Sequence, residues 1–368
     1  MTVSKPPEEQ TSVADVPRHA DPGWWIYRGT GRPIEGIDLA EVMPPPPPWR
    51  DFDGGPLPES DEPPPDDGEA VRRLGRAHHR SGQRVSAAEL DMVNAALFLR
   101  RPLLVTGRPG TGKSTLAYRI ARELGLGRVL RWSITSRTTL KSGLYEYDAI
   151  GRVQAAGARS AAAGDPGASV AEPPIGEFLR LGVLGTALLP HRLPRVLLID
   201  ELDKSEVDLP NDLLGIFEEA EFPIPELERI RNRSPELAVF TDDPDGSAIV
   251  AGGRVRCRAF PVVVITSNGE REFPPAFLRR CLRLEMPEPD AEQLAAMVVA
   301  HLLEAKGDAR RELIEEFVRR SAEVGGGLPA DKLLDAVYLA TSGAYSGDGV
   351  AWPRLMDALW QQLSSAVR

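Results

Sequence analysis

The chain has 368 residues, with 54 acidic against 44 basic side chains and a net charge of −10. Such a length allows two or three domains with ample core. The acidic balance, without an extended Lys/Arg tract, argues against a generic nucleic-acid binder and leaves only a local basic channel open. Cys257 and Cys281 fit no metal-ligand spacing and read as free thiols in a reducing compartment. No apolar run approaches the ~20 residues of a bilayer span, and the first residues carry no apolar signal segment. A soluble, cytoplasmic protein is the expectation.

Residues 1–84 are rich in Pro, Asp and Glu, cannot bury enough apolar surface to offset chain entropy, and are expected to be largely disordered. Pro44 to Pro48 favours a polyproline II rod. One island differs: Trp24-Trp25-Ile26-Tyr27, with Trp49 just past the prolines. It reads either as a strap on the chain's own folded part or as a docking segment for another protein. His78 and His79, at the end of this tract, read as solvated.

Order is expected from Val85. Ser86-Ala87-Ala88-Glu89 matches a capping box, and Leu90, Val93 and Leu97 give one apolar helix face. Leu103-Leu104-Val105 then reads as a buried strand, and Thr115 to Arg122 as a helix. Between them lies Gly107-Arg108-Pro109-Gly110-Thr111-Gly112-Lys113-Ser114-Thr115. Strand, glycine loop and helix together make a phosphate-binding loop: the glycines let successive N–H groups converge on phosphate oxygens, and the helix N-terminus adds partial positive charge. Lys113 is expected at the β- and γ-phosphates, and the Ser114 hydroxyl on Mg²⁺.

Val129 to Ile134 reads as a second strand. Leu140, Leu144, Tyr145 and Tyr147 follow, either packed in the core or facing a partner, and Ala155 to Pro174, dominated by Ala, Gly and Ser, reads as a mobile loop. In Arg195-Val196-Leu197-Leu198-Ile199-Asp200-Glu201, four apolar residues make a strand buried on both faces with two carboxylates at its C-terminal end, where open α/β sheets place ligands. About 85 residues after a phosphate loop, that pair is strong evidence. Asp200 suits Mg²⁺, through water, and Glu201 suits activation of an attacking water. A helix is expected over Val207 to Glu219, and short strands over Phe222 to Arg256 with a tip at Asp242 to Gly246. Phe260 to Asn268 is another buried strand, whose terminal amide suits the same water. Pro275 to Arg280 is a short helix ending in two arginines, and Cys281 to Met286 a last strand. From Pro289 the pattern is helical throughout: one helix capped by Asp290, others over Ala309 to Val324, from near Pro329, and over Arg354 to Val367.

In this order the motifs resemble an AAA+ ATPase, and more narrowly the MoxR-like branch. The carriers are the phosphate loop, Leu197 to Lys204, Ser267-Asn268, Phe277-Leu278-Arg279-Arg280 and the helical lid, spanning residues 85–368. The branch rests on the long insertion before the acidic strand, on Leu181 to Ala187 leading into it, and on the arginine-bearing helix. The resemblance implies an α/β three-layer sandwich with a parallel central sheet over residues 85–287. A small all-α lid over 288–368 and the Pro-rich tail of residues 1–84 complete it. It also implies that Asn268 is sensor 1, Arg280 the arginine finger with Arg279 the fallback, and Lys332 sensor 2. Two departures stand out: Arg-Arg-Cys replaces Asp-Arg-Phe at the helix end, and lysine replaces the usual sensor 2 arginine and lacks its planar fork.

The expected activity is Mg²⁺-dependent ATP hydrolysis in a homo-oligomer, a hexameric ring, that remodels or gates a protein client. Gly107, Pro109, Gly110, Thr111, Gly112, Lys113, Ser114 and Thr115 hold the nucleotide, Ser114 and Asp200 the metal. Glu201, Asn268, Arg280 and Lys332 serve catalysis. The competing readings are a nucleic-acid-dependent motor, a small-molecule phosphotransferase and a nucleotide-state switch of slow turnover.

Overall fold

The computed structural model describes residues 23–34, 36, 38–58, 63–65, 68–75, 85–162, 173–302, 314–320 and 330–341. His78 and His79, residues 163–172 of the loop expected up to Pro174, the ends of the helix expected over Ala309 to Val324 and the helix expected over Arg354 to Val367 lie outside these residues.

The centre is a five-stranded parallel sheet of β1 (Leu103–Thr106), β2 (Leu130–Ser133), β5 (Val196–Asp200), β10 (Val262–Ser267) and β11 (Leu282–Glu285), in the order β11-β1-β10-β5-β2. β5 and β10 are buried at every position, as strands covered on both faces must be. Their side chains alternate between two cores. Leu197, Ile199, Val263 and Ile265 join one; Val196, Leu198, Val262 and Val264 join the other.

The second core is covered by α3 (Ala87–Leu99) and α4 (Thr115–Glu123). Ser86 caps α3 by accepting from the Glu89 N–H at 3.1 Å. Glu89 does not close the expected box: its carboxylate turns inward to the Tyr27 hydroxyl and to Arg119 of α4. The first core lies against a second, six-stranded sheet of order β3-β4-β7-β8-β9-β6. Its strands are β3 (Tyr145–Tyr147), β4 (Leu179–Leu181), β6 (Glu221–Pro223), β7 (Glu236–Phe240), β8 (Ser247–Ala251) and β9 (Arg254–Arg256). Of the four residues singled out before it, Leu144 and Tyr145 are core, with the Tyr145 hydroxyl donating to Glu226 at 2.9 Å and its ring stacked on Phe222.

One expectation changes here. The mobile loop does not start at Ala155: residues Ala149–Ala162 form one helix, because alanine favours the helix more than any other residue. Asp148 caps it, accepting from the Gly151 N–H at 2.7 Å. Parts of the Pro-rich tract pack on the folded domain, as the strap reading expected, while Trp49 stays exposed. Tyr27 is fully buried. Asn94 of α3 accepts from the N–H groups of Ile26 and Tyr27 and donates to the Tyr27 carbonyl. Glu123, at the end of α4, receives the N–H groups of Arg28 and Gly31 and the Thr30 hydroxyl. The tract's composition supplies little apolar area, but polar groups of the folded domain hold its backbone. A short helix from the same tract, α2 (Glu69–Leu74), lies beside α4 with Leu74 in the core.

After the sheet come Ala291–His301, helical residues 314–320 and Ala330–Thr341. Leu294, Val298, Phe317, Leu333 and Val337 form their separate small core. Asp290 caps the first of these helices in a full capping box with Gln293.

Candidate active site

The site is assembled at the C-terminal ends of β1, β5 and β10. The phosphate loop leaves β1 with Gly107, Gly110 and Gly112 at φ +147°, +80° and +86°, a backbone that only glycine adopts without strain. A Cβ on Gly107 would also stand 2.7 Å from the Met286 carbonyl oxygen. The Lys113 ammonium curls back over the loop and donates to the Gly107 and Arg108 carbonyls, both at 2.8 Å. Thr111 and Thr115 tie their hydroxyls to the Arg108 and Gly112 carbonyls. Burial pushes the Lys113 ammonium down from its ordinary range, and Asp203, Glu201 and Asp200 pull it back up.

Asp200 is the hub. Its Oδ1 accepts from the Ser114 hydroxyl at 2.6 Å and the Thr266 hydroxyl at 2.9 Å. Its Oδ2 accepts from Arg131 Nη2 at 2.6 Å and Nε at 3.1 Å. Burial works against the charged carboxylate, yet the hydrogen bonds from Ser114, Arg131 and Thr266 hold it below the usual carboxylate range. The Ser114 hydroxyl and the Asp200 carboxylate are hard oxygen donors in contact beside a phosphate cradle. That donor set suits Mg²⁺, which keeps several waters and needs few protein oxygens. Among the described residues no larger cluster of His, Cys, Asp and Glu forms a metal site.

Glu201 follows in the left-handed region, φ +62° and ψ +50°, at a cost of about 1–3 kcal/mol for a non-glycine residue. That turn throws its carboxylate off the strand line. Oε1 accepts from the Asn268 amide at 3.3 Å and Oε2 from Lys204 at 2.8 Å. The Asn268 backbone is fixed in turn by the buried Asp203, which accepts its N–H at 2.9 Å and that of Glu270 at 3.0 Å. The phosphate loop, Asp200, Glu201 and Asn268 thus meet at one wall of a cavity of about 620 Å³. Its other walls come from α2 (Arg72, Arg73) and from the helices after the sheet (Gln293, His301, Ala330).

The arginines and Lys332 stand apart. Arg280, at the end of α10 (Pro275–Arg280), donates to Glu218 on α8 (Leu209–Glu219), and neither it nor Arg279 lines the cavity. Lys332 sits on the helix of Ala330, half-buried, also outside the lining. Sequence reasoning missed Arg131, Thr266, Asp203 and the α2 wall. A lone charge between the buried Leu130 and Trp132 was the available signal for Arg131.

Among curated proteins, none matches this chain. Solved structures overlap it in part. NtrX from Brucella abortus in complex with ADP is 10% identical, with TM-score 0.37 over 76% of this chain and 56% of that one. PCH-2 of C. elegans is 15% identical, with TM-score 0.32 over 74% and 62%. The chain therefore spans less than two thirds of the length of either. Residues 102–281, just under half of the chain, match the family model of the AAA domain, dynein-related subfamily.

Proposed function

We propose that the chain is a Mg²⁺- and ATP-dependent AAA+ ATPase of the MoxR-like kind, working as a homo-oligomeric ring on a protein client. The observation that carries this reading is the meeting of Ser114, Asp200, Glu201 and Asn268 at the mouth of the phosphate loop. In it, the loop N–H groups and Lys113 hold the phosphates, Glu201 takes the proton of the attacking water, and Asn268 orients that water and Glu201 together. Catalysis is then mainly charge stabilisation around a transferring phosphoryl group. A magnesium ion held by Ser114 and Asp200 supplies further positive charge when bound. Arg280 serves a neighbouring subunit, consistent with its place outside its own cavity. Lys332 is the lid's cation for the γ-phosphate once the lid closes. Among the described residues no helix is long and apolar enough to cross a membrane.

Turnover and binding test the reading together. Lys113→Ala is expected to abolish nucleotide binding or hydrolysis. Glu201→Gln is expected to bind ATP and lose about 10²–10⁴ in rate. Mixing Arg280→Ala with Lys113→Ala protein is expected to restore part of the activity, each lending what the other lacks. Normal hydrolysis by Glu201→Gln would remove the base assignment. Slow turnover with nucleotide-dependent partner binding would favour the switch, and stimulation by DNA or RNA the motor.

A further inference from the structure

We propose that Arg131 is an internal counter-ion of Asp200, holding the carboxylate oxygen that a divalent cation or its water must take, so that guanidinium and metal compete for it. The proposal rests on the nucleotide-hydrolysing reading above.

The two oxygens of Asp200 differ in their surroundings. Oδ1 is satisfied by the Ser114 and Thr266 hydroxyls, and neither bond uses the Ser114 lone pairs that a cation would need. Oδ2 is the oxygen left for the metal's shell, and Arg131 covers it with two N–H groups, at 2.6 and 3.1 Å. The fork is bidentate on a single oxygen and charge-assisted, among the stronger hydrogen bonds a protein makes. Register puts it there. β2 runs parallel to β5 with Arg131 opposite Leu198 and Ser133 opposite Asp200, so the long side chain reaches forward along the sheet to the strand end.

Arg131 is free to leave. Its side chain is 31% exposed and lines the cavity, and the Glu69 carboxylate of α2 also attracts it. A guanidinium and a divalent cation on one carboxylate repel each other, so occupancy by one weakens the other. The arrangement keeps Asp200 neutralised while no metal is bound. It also subtracts from metal affinity when nucleotide arrives.

The experiment uses the full chain and measures the dissociation constant of a fluorescent N-methylanthraniloyl-ADP, once in EDTA and once in saturating MgCl₂. The ratio of the two constants is the metal–nucleotide coupling. Arg131→Gln is expected to raise that ratio about tenfold, the scale of a charge-assisted hydrogen bond lost from the competing state, with less change in EDTA. Arg131→Lys keeps the charge without the fork and is expected in between. In an Asp200→Asn background, Arg131→Gln is expected to leave the ratio where it was. Mn²⁺ titrated into the ADP complex and followed by electron paramagnetic resonance gives the same ranking without hydrolysis. A wild-type chain that binds the analogue, with a ratio unchanged or lowered in Arg131→Gln, overturns the proposal and leaves the nucleotide site standing. Should Arg131→Gln not fold, an unchanged ratio in Arg131→Lys overturns it equally. A wild-type chain that binds no analogue removes the nucleotide reading, and this one with it.

Discussion

The two ends of β5 carry the same chemistry in different settings. Arg195 precedes the strand and Asp200 ends it, and each makes an arginine–carboxylate pair. Arg195, with 2% of its side chain exposed, donates to both oxygens of Asp243 at 2.8 Å, and Arg128 joins from 3.2 Å. Asp243 lies on the tip between β7 and β8, so this pair fastens the second sheet to the first. Asp200 and Arg131 face the cavity instead. Hydrogen bonds and charge hold both carboxyls below their usual range in spite of burial, so titration does not separate them. Surroundings do. The two carboxylates are about equally buried, but Arg195 has 2% of its side chain exposed and Arg131 31%, so breaking the first pair leaves an unpaired buried charge. A pair on a cavity wall can change partners.

The largest expected effects therefore cross over. Asp200→Asn should lower hydrolysis by about 10²–10³, the scale of losing one electrostatic stabiliser, with a smaller stability loss than Asp243→Asn, because the charge it leaves behind, on Arg131, is 31% exposed and can be solvated. Asp243→Asn should cost about 3–5 kcal/mol of stability and leave nucleotide affinity unchanged at temperatures where the protein is folded. Thermal melts and binding isotherms on both variants decide it. Equal melting losses in the two would break the distinction.

A neutral side chain sharpens the same rule next. Tyr27 is wholly buried, with its hydroxyl on Glu89 at 3.1 Å; Trp49, in the same Pro-rich tract, is 75% exposed. Tyr27→Ala is expected to cost about 3 kcal/mol, the low end for aromatic truncation in a core, and Trp49→Ala to stay within about 0.5 kcal/mol. A comparable melting loss in Trp49→Ala would mean that the exposed aromatic is held by something it does not touch in the isolated chain.

What could be read from the sequence divides along the range of the interactions. The placement of Lys113, Ser114 and the Asp200–Glu201 pair around one cavity was legible because it follows from spacing within one strand–loop–helix and at one strand end. The buried strands were legible because a parallel sheet covered on both faces needs unbroken apolar runs, as in Val262 to Ile265. Arg131 and Thr266 were not, since they meet Asp200 only through strand register, across 69 and 66 residues of chain. The strap was legible as one of two readings, from its aromatics, but its anchors were not, because Tyr27 is held by Asn94 and Glu89 of α3 and its neighbours by Glu123 of α4, and composition counts apolar area rather than distant acceptors. α2 reached the cavity wall for the same reason: what orders it lies on α4, outside its own stretch of sequence.

The last effect concerns pH at the Arg195 end of β5. His191 lies beside Arg195 and Asp243. Burial, with help from the Arg195 charge, pushes its imidazole down to about 4, against opposing pulls from Asp243 and a backbone bond to Thr186. An unfolded chain would protonate it near 6.5. Between those values the unfolded state binds the additional proton, so His191 contributes stability that is fully present above about pH 6.5 and is lost as pH falls toward 4. Asp243, held below the ordinary carboxylate value, gives way only at lower pH, so the two losses fall in separate windows. Melting temperatures from pH 7 to 5 should therefore decline less steeply in His191→Gln than in the wild-type chain, while the steeper loss below pH 4 stays. An identical slope in both proteins over that range would mean that the imidazole already sees solvent. The Arg195 end of the strand would then be less closed than its geometry indicates.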